Sequence, residues 1–155
     1  LSVILHAGAM VMTEKWDARF LGLAALVATW SKDPSSKVGA VIVDAKNRVN
    51  SLGFNGFPRT VSDAPQVYAD REEKLRRTLH AEQNALLFAA RSVEGGTIYI
   101  THPPCARCAA LLIQAGIQRV VCPPPPSDFQ QRWAADIASS RQMFDEAHVD
   151  FVEIG

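Results

Sequence analysis

Residues 97–122 read TIYITHPPCARCAALLIQAGIQRVVC. Thr97 to Thr101 is a short run of β-branched and aromatic residues, the composition of a strand. Pro103-Pro104 stops it, and Cys105 to Gln114 is then rich in helix formers. Gly116 ends that helix, and Ile117 to Cys122 reads as a second strand. Strand, helix and strand in this order form a piece of an α/β sheet. The two thiols of the C-x-x-C motif stand at the helix start.

The same alternation extends in both directions. Upstream, LHAEQNALLFAAR (79–91) predicts a helix, and Gly95-Gly96 ends it. VGAVIVD (38–44) is a nearly continuous apolar run, which fits a buried strand. Asn47 marks a tight turn after it, and RVNSLGF (48–54) returns as an antiparallel neighbour. From Met12, the residues Trp16, Phe20, Leu23, Val27 and Trp30 recur at steps of three and four, the face of a first helix. Asn55 opens a polar loop that runs to about Arg77, long enough to suggest a functional role. Downstream, Pro123 to Pro126 force a rigid connection, and Ser127 with Gln130 resembles a capping box. Phe129, Trp133, Ile137 and Phe144 share one side of a last helix, and HVDFVEI (148–154) finishes as a strand. A mixed sheet covered by helices, in one α/β domain over residues 12–155, accounts for the pattern.

Composition narrows the function classes. At 155 residues the chain can bury roughly 70% of the surface its unfolded form exposes. A formal net charge of zero argues against a nucleic-acid partner, since such proteins carry a cationic surplus to neutralise phosphates. Three cysteines, an odd number, suit a reducing compartment, and hence the cytoplasm. Residues 1–11, LSVILHAGAMV, are apolar but lack a basic lead and a cleavage site. They read as an N-terminal extension outside the core, with Met12 as a natural start. No stretch reaches the roughly eighteen apolar residues of a membrane span.

Three side chains then combine with the cysteine helix. A catalytic zinc site takes three protein ligands and leaves a fourth position open, and His80, Cys105 and Cys108 supply that count. Each motif opens a predicted helix, so two helix dipoles would present their positive ends to one cavity and favour thiolate over thiol. Glu82, two residues after the histidine, shares the cavity without ligating and can carry protons. A redox pair would leave His80 and Glu82 unexplained, and a structural zinc would normally recruit a fourth Cys or His. His102 is the nearby candidate, but at a strand end it is expected to face solvent. His6 and His148 have no useful spacing with the cysteines, and Cys122 reads as a small buried hydrophobe.

The order H-x-E followed by P-C-x-x-C is the signature of zinc-dependent nucleobase deaminases. A metal that lowers the pKa of water toward neutrality, beside a carboxylate, suits hydrolysis at an amidine-like carbon such as cytosine C4 or adenine C6. DPSSKVGAVIVD, GFNGFPR, HAEQNAL and THPPCARCAALLIQAGIQRVV together resemble the deoxycytidylate deaminases of the cytidine deaminase superfamily, from about Met12 to Val121. The resemblance implies a cytidine deaminase-like three-layer α/β/α sandwich with a five-stranded mixed sheet. It implies hydrolysis of dCMP to dUMP and ammonia, supplying the thymidylate precursor. It also implies one catalytic Zn2+ on His80, Cys105 and Cys108, with Glu82 as proton shuttle. Asn55 would bond the sugar or base, and the Ala81 backbone would meet the cytosine edge. Phe88 and Arg91 would lie at a subunit contact in a homo-oligomer, by resemblance a hexamer; they also read as a core phenylalanine and a helix-capping arginine.

Asn55 has some support of its own, because an amide both donates and accepts, although a turn residue before Gly56 is the plainer interpretation. Lys37 and Arg59 flank the two loop blocks and could pair with the substrate phosphate, or be ordinary solvated cations. REEKLRR (71–77) reads most simply as a solvated helical face, although one of its arginines, which the sequence does not single out, could reach a phosphate. The chain departs from its relatives in two ways. It has no cysteines for an additional structural zinc, and its loop PRTVSDAPQVYADREE (58–73) lacks the glycine that regulated members carry after NG-x-P. The loop thus departs from the pattern that goes with allosteric control by nucleotide triphosphates, which the sequence leaves open, and Mg2+ would enter only with a nucleotide effector. The rivals are another deaminase of the same fold, acting on tRNA adenosine or a free base, and a zinc-binding interaction module without chemistry.

Overall fold

The centre of the molecule is set by the apolar run around Val41. A computed structural model describes residues 2–155, with side chains from Thr13 onward. The expected separation of residues 1–11 from the core, and any role of His6, rest on side chains that lie outside the described ones. Strand β1 (Gly39–Val43) is buried along its whole length, which explains why it lacks polar alternation. It pairs antiparallel with β2 (Val49–Phe54) on one side and with β3 (Thr97–Ile100) on the other. Strands β4 (Arg119–Cys122) and β5 (Asp150–Glu153) continue the sheet in parallel, giving the order β2-β1-β3-β4-β5. Asn47 takes the predicted turn with φ of 58°.

Helices cover both faces, as the three-layer expectation requires. Helix α1 (Ser2–Ala28) lays Phe20 and Ala24 over Val41, Val43, Tyr99 and Val121. The opposite face carries α4 (Ala81–Leu87), α5 (Ala106–Gln114) and α6 (Ser127–Glu146), which bury Ala85, Leu112 and Phe144 against Ile42, Ile98 and Val120. Two strand glycines make the close seating possible. A Cβ on Gly39 would lie 2.0 Å from the Ala24 carbonyl oxygen, and one on Gly53 would lie 2.2 Å from the Ala81 carbonyl oxygen. Helices α1 and α4 therefore rest directly on strand backbone. Among the described residues, no helix is long and apolar enough to cross a membrane.

Three local expectations are corrected. The polar segment from Asn55 to Arg77 is not a plain loop: it contains the unexpected helix α2 (Pro65–Ala69), and REEKLRR forms helix α3 (Arg71–Arg77), in line with its reading as a helical face. Pro65 starts the first, and the Asp70 side chain caps the second by accepting from the Glu73 N–H. Helix α4 ends at Leu87 and does not reach Arg91, since the Asn50 side chain on β2 bonds both the N–H and the carbonyl of Arg91. Ser127 is the first helical residue of α6 and not its cap. Pro126, with extended backbone, takes the cap position and accepts from the Gln130 N–H.

Candidate metal centre and active site

The double proline brings the chain from the end of β3 to Cys105, which becomes the N-cap of α5. Its sulfur accepts from the Cys108 N–H at 3.5 Å, so the helix start itself orients the first thiol. His80 is the N-cap of α4, fixed by its own N–H donating to Gln83 Oε1 at 2.7 Å. The two helix starts meet. His80 Nδ1 lies 3.5 Å from Cys105 Sγ and 3.4 Å from Cys108 Sγ, and all three ligand atoms fall within 4.8 Å of one another.

These distances suit a tetrahedral ion. With Zn–N of ~2.0–2.1 Å and Zn–S of ~2.3 Å, the N···S edge of such a site is about 3.6 Å. The charges suit a cation too. Cys105 is held down to about 4, first by the Cys108 S–H and then by the His80 ring. The Cys108 thiol is pushed up by the negative Cys105 sulfur and by burial. Both sulfurs can ionise together only when a positive charge sits between them. Among the described residues no fourth His, Cys, Asp or Glu joins the group.

Glu82 is 5% exposed, and burial pushes its carboxyl up to about 7. A carboxyl balanced near neutrality can accept and release a proton at comparable cost, which is what acid–base work demands. His80, Ala81, Glu82 and Cys105 line a cavity of about 170 Å³. Its other walls come from the Asp33–Ser36 loop, from α3 and from α6, which contributes Phe129, Arg132 and Trp133.

The remaining expected residues divide. Asn55 is buried and lines the cavity, but both ends of its amide are engaged: Oδ1 accepts from the Val38 N–H and Nδ2 donates to the Ser36 carbonyl, each at 2.8 Å. It thereby holds the cavity wall as well as facing inward. Ala81 lines the floor. Lys37 and Arg59 do not line the cavity. Lys37 Nζ donates to the Ser31 carbonyl at 2.6 Å, and the Arg59 guanidinium lies 5.0 Å from the Phe88 ring centre. Phe88 is exposed just beyond α4, and Arg91 lies 3.8 Å from Asp44. His102 is half-buried and lines the cavity, where a solvent-facing strand end was expected: its Nδ1 lies 3.1 Å from Thr101 Oγ1 and its ring packs on Phe129, outside the ligand group. Cys122 is fully buried, and burial pushes its thiol up to about 12.

Cations do reach the cavity, from segments that sequence reasoning treated as solvated surface or core. Arg71, Lys74, Leu75 and Thr78 turn one face of α3 toward it. Lys74 is committed to Asp33, with Nζ 2.8 Å from Oδ1 in a buried pair. Arg71 of α3 and Arg132 of α6 also line it, Arg132 with its guanidinium 3.7 Å from Asp128. The three-and-four spacing of 71, 74, 75 and 78 around an isolated leucine was the available signal.

Comparison with known proteins agrees with this geometry. The family described as "Cytidine and deoxycytidylate deaminase zinc-binding region" matches residues 14–123. The chain is 51% identical over 139 residues to an uncharacterized deaminase from the luxG 3′ region of Aliivibrio fischeri, covering 90% of this chain and 93% of that protein. It is 35% identical over 143 residues to the deoxycytidylate deaminase of Pongo abelii, covering 88% and 78%. In fold it resembles the dCMP deaminase of cyanophage S-TIM5 crystallised with dCMP and dUMP, with a TM-score of 0.71, 22% identity, and 88% and 95% of the two chains covered. Since the match runs from α1 to the end of β4 and encloses both helix starts that carry the ligand atoms, the chain belongs to the cytidine and deoxycytidylate deaminase zinc-binding family.

Proposed function

We propose that this protein hydrolyses deoxycytidylate to deoxyuridylate and ammonia, in the cytoplasm, with one zinc ion held by His80, Cys105 and Cys108. The observation that carries the proposal is the placement of Glu82, a buried carboxyl raised toward neutrality, which lines the cavity together with His80 and Cys105 of the three-ligand group. Relatives named as deoxycytidylate deaminases support the substrate. Zinc, when bound, supplies a Lewis acid that makes water a competent nucleophile near pH 7.

The protein's own groups account for the rest. Glu82 takes a proton from the attacking water, places it on the ring nitrogen beside the reacting carbon, and returns one to the departing amine. Water adds, ammonia leaves, and no electrons change hands. The Ala81 backbone and Asn55 bound the base and sugar at the floor. With Lys74 neutralised by Asp33, and with Lys37 and Arg59 outside the cavity, the substrate phosphate falls to the two arginines that line it, Arg71 and Arg132, the latter also 3.7 Å from Asp128 on its own helix. Phe88 and Arg91 contribute to a homo-oligomer contact, a hexamer by resemblance, and Mg2+ enters only alongside a nucleotide effector.

Ammonia release from dCMP, CMP, dCTP, deoxycytidine and guanine tests the substrate. Turnover should be greatest with dCMP, and the Arg71→Ala/Arg132→Ala double variant should raise KM for dCMP by about ten-fold or more while leaving the weak turnover of deoxycytidine unchanged. Dominant turnover of guanine or deoxycytidine would overturn the substrate assignment.

A further inference from the structure

Two side chains of α6 grip the backbone on either side of Cys105. Asp136 Oδ2 accepts from the Ala106 N–H at 2.7 Å, and Ser140 Oγ donates to the Pro104 carbonyl at 2.8 Å. The Ser140 oxygen also lies 3.0 Å from the Asp136 carbonyl, one helical turn back. Ser140 is 1% exposed. The residues are four apart, so one face of α6 presents both groups to the turn. That same face continues through Phe129, Trp133 and Ile137, which line the cavity.

The turn needs such support for a reason written in its sequence. Neither Pro103 nor Pro104 has a backbone N–H, so the segment that delivers Cys105 cannot tie itself down with its own donors. Its anchoring must come through the Pro104 carbonyl and the first free N–H of α5, the two groups that α6 engages. The neighbouring Cys108 N–H is already directed to the Cys105 sulfur. Both supporting side chains lie past residue 123, where the match to the zinc-binding region ends.

We infer that Asp136 and Ser140 are positioning residues for the metal: through hydrogen bonds to Ala106 and Pro104 they hold the Cys105 turn in its ligating geometry and so slow the escape of zinc. The inference rests on the assignment of His80, Cys105 and Cys108 as ligands. Outer groups of this kind commonly change metal affinity by about 10- to 100-fold. A contact that served only to fasten α6 onto α5 would lower the melting temperature of the zinc-free and zinc-loaded proteins equally.

The test uses the full chain without nucleotide. Zinc-loaded wild type, Asp136→Ala, Asp136→Asn and Ser140→Ala are mixed with a chromogenic chelator, and the release rate and the difference in melting temperature between loaded and zinc-free protein are recorded. Asp136→Ala and Ser140→Ala should each release zinc about ten-fold faster or more and show a smaller zinc-dependent rise in melting temperature. Asp136→Asn keeps an oxygen acceptor and should stay close to wild type. If Asp136→Ala fails to fold, fast release from Ser140→Ala together with slow release from Asp136→Asn carries the same conclusion. Wild-type release from Ser140→Ala, or loss in Asp136→Asn as large as in Asp136→Ala, overturns the inference while leaving the ligands intact. A wild-type protein that takes up no zinc removes the ligand assignment and this inference with it.

Discussion

Each face of the sheet buries a carboxylate, and the two are treated in opposite ways. On the α1 face, Asp17 is 1% exposed and fully partnered: Arg119 meets it with two nitrogens at 2.6 and 2.7 Å, and the Tyr99 hydroxyl donates at 2.7 Å. On the α4 face, Glu82 is nearly as buried, yet among the described residues no arginine or lysine pairs with it, and burial leaves its carboxyl raised to about 7. A buried carboxylate met by an arginine and a hydroxyl contributes to structure. One left without a countercharge keeps both states within reach, and it can move protons. Depth alone therefore does not separate a structural acid from a catalytic one. The identity of the neighbours does.

Three replacements test that contrast. Glu82→Gln should lower kcat by about 10⁴-fold, the upper end for a positioned acid–base group, with zinc content and melting temperature kept. Turnover near wild type, measured by ammonia release on fully loaded protein, would break the comparison at its catalytic end. Asp17→Ala should do the reverse. It strands the partly buried Arg119 and should cost about 3 kcal/mol in urea unfolding, while kcat per folded molecule is unchanged. The smallest effect concerns His102, on the site face, whose ring is held below its usual 6.5 by burial. As pH falls below 6.5, the unfolded chain takes up a proton that the packed ring resists, so the native state loses stability on acidification. Wild type should therefore lose more stability between pH 7.5 and 5.5 than His102→Gln, and equal losses would refute a buried neutral ring.

The ligand set was legible because its determinants are local. Histidine, glutamate and both cysteines sit at the first turns of helices, and the cysteine helix is bounded by Pro103-Pro104 and Gly116. The strands were legible for the same reason: β1 is uniformly apolar since helices cover both of its sides. What escaped was direction. Lys37 and Arg59 adjoin the right loop blocks, but adjacency does not reveal that one points to a carbonyl and the other to an aromatic ring. Arg71 looked solvated within a charged run, because the Asp33–Lys74 pair that seats α3 joins residues 41 apart. Phe129 and Trp133 had the spacing of core residues, and their helix instead turns them to the cavity. Helix α2 is too short for apolar periodicity to announce it, although Pro65 marked its start, whereas the charge pattern of REEKLRR made α3 legible.

The tight seating of α4 on Gly53 has a mechanical corollary. With no side chain between helix and strand at that point, the imidazole and carboxyl are carried by the sheet as a fixed jaw. Accommodation of an arriving nucleotide is left to the opposing jaw, built from α3 and the opening turns of α6, where Arg71, Arg132 and Trp133 still touch water.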